Sequence, residues 1–286
     1  MSGEPSFGKP IALYRTSPSV FVVSITGKRC ELACPHCEGR YLEGMFPATM
    51  PPDLTRAFVK AKSEGATTLL VSGGFTRKGR LPVDGMISAI RGGKERTGLI
   101  VEVHSGVVDN STIEGLAAAG VDALLLDVIG DDRTIKEYLG GKWDVAEYRR
   151  TLYFAKGKIP TVAPHVLLGV ERGKVAGERN AIDLISSSNA DACAILVLIS
   201  DPPMDLASVK EVMAYARASF RQHLTLGCMR GKGSERMEYE KFAVDLGYDG
   251  IANPSPGIKE YAASKGRGAI EVSGCCIFPP HRKDKP

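Results

Sequence analysis

The sequence predicts an α/β protein of the (β/α)8 TIM-barrel type, full or nearly full, followed by an irregular C-terminal tail. Three observations carry this. Eight strand-like apolar runs succeed one another between residues 19 and 265; amphipathic stretches separate them; and several of those stretches end in Gly directly before the next run. Gly at that place is a common helix C-terminal signal. Regular alternation of strands and helices indicates βα units and a parallel sheet. A doubly wound sheet and a partial six-strand barrel are the alternatives the same pattern allows.

In order, the runs are "SVFVVSIT" (19–26), "TTLLVSGG" (67–74), "LIVEVHSG" (99–106), "DALLLDVIG" (122–130), "TVAPHVLLG" (161–169), "CAILVLIS" (193–200), "HLTLGCMRG" (223–231) and "GIANPS" (250–255). Their nearly continuous Val, Ile and Leu suit strands covered on both faces. The helical candidates between them include "DLTRAFVKAKSEG", "STIEGLAAAG", "DLASVKEVMAYARASF" and "RMEYEKFAVDLG". No Pro/Gly/Ser-rich linker divides the chain, so the pattern gives an arm over 1–18, a barrel over 19–265 and a tail over 266–286 that carries Cys275 and Cys276.

The 286 residues are 43% hydrophobic and 24% charged, ordinary for a soluble globular protein. No apolar stretch approaches the ~20 residues that span a bilayer, and "MSGEPSFGKPIALYRTS" has no signal-peptide core. A cytoplasmic protein without membrane association is expected. The net charge of +4 is too mild to argue for nucleic acid, and the basic "HRKDKP" is a solvated end.

In a barrel of parallel strands the chemistry sits at the strands' C-terminal ends, and the unusual residues of this chain gather there. "CELACPHC" follows the first run and sets Cys30, Cys34 and Cys37 at C-x3-C-x2-C spacing. "SGG" ends the second run, "HSG" the third, and "GCMRG" the seventh. Three thiols on one short loop reach a single centre. Structural zinc usually takes four ligands, commonly as two separated pairs, and the chain has no second C-x2-C. An iron–sulfur cluster is the other thiolate-bound centre. Three cysteines around four irons leave one iron for a small molecule, although an oxidation-prone or zinc-binding loop also fits the spacing.

"CELACPHC" after a first barrel strand resembles the motif of the radical S-adenosylmethionine (SAM) enzymes, and the strand pattern extends the resemblance over essentially the whole chain. It implies a [4Fe-4S] cluster on Cys30, Cys34 and Cys37 whose open iron chelates SAM, and reductive cleavage of SAM to methionine and a 5′-deoxyadenosyl radical. His36 matches the family's aromatic position against the adenine. Ser72, Gly73 and Gly74 match the glycine-rich strand end that binds the methionine amino group. The family's frequent Glu after that pair is Phe75 here. "HVLLGVE", with His165 and Gly169, resembles the segment lining the adenine pocket.

Four cysteines remain. Cys193 lies within an apolar run and is expected in the core. Cys228, Cys275 and Cys276 are expected to hold a second, auxiliary iron–sulfur cluster, with a turn at Gly274 bringing the adjacent pair together. Cys193, Arg230, Ser273, a substrate sulfur or a partner are the options for its fourth ligand; packing or redox-labile thiols are the alternative. "LGCMRGKG", "IANPSPGIKEYA" and the terminal "CC" make the chain similar to the biotin-synthase-related branch, and within it to a subunit of the two-protein lipoyl synthases of archaeal type. That similarity implies sulfur insertion into a protein-bound octanoyl chain. It further implies a companion radical SAM subunit, an octanoylated lipoyl-domain or H-protein-type substrate, and an electron donor such as ferredoxin.

Cys228, Arg230, His104 and Asp127 are the candidate catalytic residues, and His165 projects beside them; each also has an ordinary hydrogen-bonding role open to it. Arg230 and Arg77 are candidate carboxylate binders. Trp143 signals packing only. The rival functions are biotin-synthase-like sulfur insertion into a small molecule, radical methylation or cofactor assembly, and an iron–sulfur carrier that is not an enzyme.

Overall fold

The computed structural model describes residues 8–199 and 204–280; the basic segment "HRKDKP" lies outside the described residues. Its strands are β1 (Gly8–Arg15), β2 (Val20–Ser24), β3 (Phe46–Pro47), β4 (Thr68–Ser72), β5 (Ile100–His104), β6 (Ala123–Leu125), β7 (Asp127–Val128), β8 (Thr161–Val162), β9 (His165–Leu168), β10 (Ala192–Val197), β11 (His223–Leu226), β12 (Gly250–Ala252) and β13 (Arg267–Ser273). The helices are α1 (Pro51–Ser63), α2 (Ile87–Thr97), α3 (Asn110–Ala118), α4 (Val145–Ala155), α5 (Glu178–Ser187), α6 (Leu206–Ser219), α7 (Gly233–Asp245) and α8 (Ile258–Ser264).

All strand pairings are parallel, in the orders β3-β2-β4-β5-β6-β8 and β13-β1-β12-β11-β10-β9-β7. The two orders are one wall. β6 and β7 are a single run interrupted at Leu126, and β8 and β9 one interrupted at Ala163–Pro164. Ala163 N donates to Leu124 O and His165 N to Leu126 O across the interruptions. Pro164 has no N–H to give, which breaks the ladder there.

Thr16–Ser19 joins β1 to β2 in four residues, far fewer than the dozen needed to return alongside a parallel partner. β1 and β2 are therefore successive halves of one wall position, the first paired with β12 and the second with β4. Eight positions result, the barrel count.

Two expectations change. The arm and the irregular tail contribute strands: β1 is part of the wall and β13 pairs along it from Gly8↔Arg267 to Arg15↔Ser273. Arg267 fastens this edge by donating to Lys9 O, Val244 O and Tyr248 O. Short strands holding Gly8 and Pro10, or Gly268, carry too weak an alternation to stand out.

Helices cover the outer face. α1 buries Leu54, Ala57, Phe58 and Ala61, one face at i, i+3, i+4 and i+7 spacing. α3, α4 and α6 begin at Asp109, Asp144 and Asp205, whose carboxylates accept from Thr112 N, Glu147 N and Ser208 N and so cap the first turn.

Many inward positions are small: Ala12, Ala123, Ala163, Ala192 and Ala252. The space is filled by the chain's own end. Ile277, with Cys275 and Phe278, packs against Ala123, Leu125, Ala163, Ala192 and Leu70, while Cys276 packs against Ala12, Tyr14 and Ala252. A segment touching residues of so many wall positions lies inside the barrel. Ala123 and Ala192 begin their strands, and His223 Nε2, at the start of β11, lies 3.0 Å from Cys276 O, so the segment occupies the lower, N-terminal half. No helix among the described residues is long and apolar enough to cross a membrane.

Candidate functional site

At the opposite, C-terminal end of the barrel, one pocket is lined by Cys30, Cys34, Cys37 and His36 from the loop after β2, by Ser72, Gly73, Gly74 and Phe75 after β4, and by His104 and Asp127. The loop is held by its own tight turns: Cys37 N and Glu38 N both donate to Cys34 O, and Arg40 N donates to Cys37 O. It is clamped to the neighbouring strand end, because Glu31 N donates to Phe75 O and Gly74 N to Thr26 Oγ1 at 2.7 Å.

Gly74 has a role beyond the one expected. A Cβ there would stand 2.0 Å from Arg29 O and 2.6 Å from Cys30 Cα. This glycine admits the cysteine loop's backbone and, with Ser72 and Gly73, lines the pocket.

The thiols are poised to ligate. Cys34 shares a hydrogen bond with Cys37, which lowers the Cys37 pKa well below the ordinary thiol range against the opposing effect of burial, and raises that of Cys34. Ligation takes thiolates, so binding a metal centre releases the protons of these thiols. His36 presents a buried Nδ1 with no hydrogen-bond partner toward the same space. Three thiols and an unsatisfied ring nitrogen around one pocket fit a cluster with a polar small molecule.

Below the loop, Asp127 Oδ2 lies 3.4 Å from His104 Nε2, and Asp127 Oδ1 lies 3.2 Å from His165 Nδ1. Burial alone would raise the Asp127 pKa, but the two histidines outweigh it and hold the carboxylate well below its usual range. Burial likewise disfavours a charged His104, and Asp127 reverses this, so the His104 pKa is raised. Asp127→Asn is expected to lower the His104 titration midpoint, because the opposite charge that favours the imidazolium is gone, as followed by NMR of the imidazole. His165 thus joins the expected pair. Gly169 does not: its N–H donates to Glu178 Oε1, closing the loop after β9.

Arg230 is a correction. Its guanidinium is buried and fully engaged, donating to Glu240 Oε1 at 2.6 Å, to Gly227 O, and to the Ala252 and Asn253 carbonyls. It ties β11 to β12 from a fully buried position, held by Glu240 and three backbone carbonyls. Cys193 points outward under the helices, its thiol pushed up to about 12 by burial, and is no ligand either. Arg77 is exposed.

Cys228 opens on the barrel mouth just past β11, next to Met229, which lines the pocket. Desolvation raises its thiol pKa, and the charge of Cys276 adds to this, so the two thiols are near enough to interact. Cys275 and Cys276 hydrogen-bond each other, raising the pKa of the first and lowering that of the second. Adjacent side chains therefore share one side, as the turn after Gly274 (φ +143°) permits. Cys276 Sγ also accepts from Thr225 Oγ1 at 3.6 Å.

Trp143, Tyr148 and Leu167 form the pocket's apolar wall; Leu167 belongs to the segment expected to line the adenine pocket, Trp143 was expected only to pack, and Tyr148 carried no expectation. For Trp143 a signal was available in Gly79 and Gly141, since a Cβ at Gly141 would stand 2.1 Å from the indole.

No protein-family model and no curated protein matches the sequence. Solved structures do match in fold. Methylornithine synthase (PylB) superposes with a TM-score of 0.59 at 12% identity, over 96% of this chain and 85% of that one. The barrel is shared. HydG, a maturase of the [FeFe]-hydrogenase, gives 0.62 at 17% over 92% and 66%. Streptococcus suis SuiB bound to S-adenosylmethionine gives 0.54 at 13% over 93% and 57%. The chain thus spans about two thirds of HydG and little more than half of SuiB. HMG-CoA lyase from Brucella melitensis has the same barrel, at 0.54 and 12% over 94% of both chains, so function rests on the site and not on the fold.

Proposed function

We propose that this chain is a radical SAM enzyme that inserts sulfur, acting as one subunit of a two-protein lipoyl synthase on a protein-bound octanoyl chain. The observation that carries the radical SAM assignment is the convergence of Cys30, Cys34, Cys37, His36 and Ser72 on one pocket at the C-terminal end of the barrel. The three thiols would hold the cluster, and Ser72, Gly73 and His36 would receive the polar groups and ring of SAM.

When bound and reduced by one electron from a ferredoxin-type donor, cluster and SAM supply a radical that removes a substrate hydrogen atom. Cys228, Cys275 and Cys276 would hold an auxiliary cluster, and the chemistry it would supply is a sulfur atom for the substrate carbon, with the surplus electron retained on its iron. The chain's own residues exclude water and fix orientation. Trp143, Tyr148, Leu167 and Leu139 give the pocket an apolar wall suited to an alkyl chain, and His104–Asp127–His165 offers the polar floor. Cys228, next to the pocket-lining Met229, would face the substrate.

The test supplies the protein with a companion radical SAM subunit, reductant, SAM and an octanoylated lipoyl-domain peptide, and follows thiolated peptide by mass spectrometry. The expected result is a thiolated peptide with the wild type. With Cys228→Ala, 5′-deoxyadenosine is expected to form without thiolation. Thiolation undiminished in that variant would remove the role given to Cys228. SAM cleavage with no thiolation by the wild type would return the chain to methylation or cofactor assembly.

A further inference from the structure

We infer that His104, Asp127 and His165 form a binding site for one divalent cation of the zinc or ferrous-iron kind, with its open coordination positions turned to the pocket. The site is separate from the cysteine loop and does not rest on the sulfur-insertion reading.

The three residues stand on adjacent wall positions of the barrel. His104 ends β5, Asp127 begins β7 and His165 begins β9. The register sets Asp127 beside His165, and His104 beside Leu125, so Asp127 stands one same-face step beyond His104. Their neighbours Val103, Leu126, Val128 and Val166 belong to the core under the helices, which leaves the three polar side chains on the inner face. One ligand atom from each lies within 4.8 Å of the other two. Ligands carried on strands are placed more precisely than ligands on loops. Phe75 also meets the His104 ring in a T-shaped contact at 5.5 Å, which fixes its plane.

The spacing suits a shared cation better than a hydrogen-bonded chain. Asp127 Oδ2 is 3.4 Å from His104 Nε2, and Asp127 Oδ1 is 3.2 Å from His165 Nδ1. A carboxylate bonded to a charged nitrogen ordinarily closes to about 2.7–2.9 Å, as the Arg230–Glu240 pair does at 2.6 Å and Arg217–Asp249 at 2.9 Å. Two donors about 2.0–2.2 Å from one cation, at near-tetrahedral angles, stand about 3.1–3.6 Å apart. The donor set selects the ion. Two imidazoles and a carboxylate suit Zn²⁺ or Fe²⁺, whereas Mg²⁺ and Ca²⁺ take shells of oxygen. Three protein ligands leave positions open. His104 and Asp127 line the cavity, about 180 Å³, and among the described residues no Lys or Arg lines it, so no fixed cation competes for the Asp127 carboxylate. A carbonyl or carboxylate oxygen of the substrate is the group such a cation would take and orient.

The test uses the full chain, reconstituted anaerobically with iron and sulfide so that the thiols are occupied, freed of excess metal and titrated with Zn²⁺ alone. About one zinc per chain is expected, with an X-ray absorption spectrum showing two imidazoles, oxygen and no sulfur at about 2.0–2.1 Å. His165→Gln and Asp127→Asn are expected to weaken zinc binding more than about 100-fold, beyond the roughly 10–100-fold lost with a residue that only hydrogen-bonds a ligand. Bromide added to the zinc-loaded protein is expected to enter the zinc shell as a heavy scatterer. No zinc on iron-loaded protein, a zinc shell of sulfur, or a nitrogen–oxygen zinc indifferent to both substitutions overturns the inference. A shell closed to bromide overturns its opening on the pocket. Should both variants fail to fold, the wild-type spectrum decides, two imidazoles supporting the site and fewer overturning it. Iron content and SAM cleavage of the zinc-free protein report the radical SAM reading separately.

Discussion

Cys34→Ala is expected to remove about four irons per chain and to reduce 5′-deoxyadenosine formation from SAM to background, the largest loss any single substitution should cause. Cys34 is the most buried of the three loop thiols, at 8% exposure, and its backbone carbonyl organises the turn that carries Cys37. Neither Cys193, which faces outward, nor the C-terminal pair, which fills the far half of the barrel, is placed to substitute. Cys193→Ala is the matched control and should leave both quantities unchanged. Iron analysis and chromatography of the nucleoside product measure the pair.

The largest stability effect is expected at Glu240. Glu240→Ala strands the fully buried Arg230 guanidinium and removes the acceptor used by Arg236, Ser255 N and Ser255 Oγ. Breaking one partner of a buried ion pair costs about 3–5 kcal/mol, measurable as a lower denaturant midpoint. Arg230→Met should cost less, because the buried Glu240 carboxylate it leaves behind keeps Arg236, Ser255 N and Ser255 Oγ as partners, and the folded fraction should still cleave SAM. That second result separates the structural role of Arg230 from the catalytic role its position at a strand end suggested. A Met variant that folds normally yet fails to cleave SAM would reinstate the catalytic role.

The barrel and the cysteine loop were legible because both are local: apolar runs mark strands, and a ligand triad within eight residues needs no tertiary contact to be seen. What escaped was long-range. Ser72 and Gly73 meet the cysteine loop as expected, but only the structure shows that Gly74 is spared a side chain by Arg29 O and Cys30, forty-odd positions earlier in the chain. Arg230 looked available because Glu240 lies on the next helix. Glu102 looked like one residue of an apolar run, and nothing near it in sequence signals that the chain's C-terminus returns to it. β1 and β13 are edge-like strands whose pairing with each other joins the two ends of the chain. Composition and local pattern do not carry that information.

The account's central claim is that Cys30, Cys34 and Cys37 hold a cluster on which SAM binds. It is tested most directly by EPR of the anaerobically reconstituted, one-electron-reduced protein titrated with SAM. The account predicts that SAM changes the spectrum of a cluster present in the wild type and missing from the Cys30/Cys34/Cys37→Ala variant. A reduced cluster whose spectrum is indifferent to SAM would contradict it and leave an iron–sulfur carrier in its place.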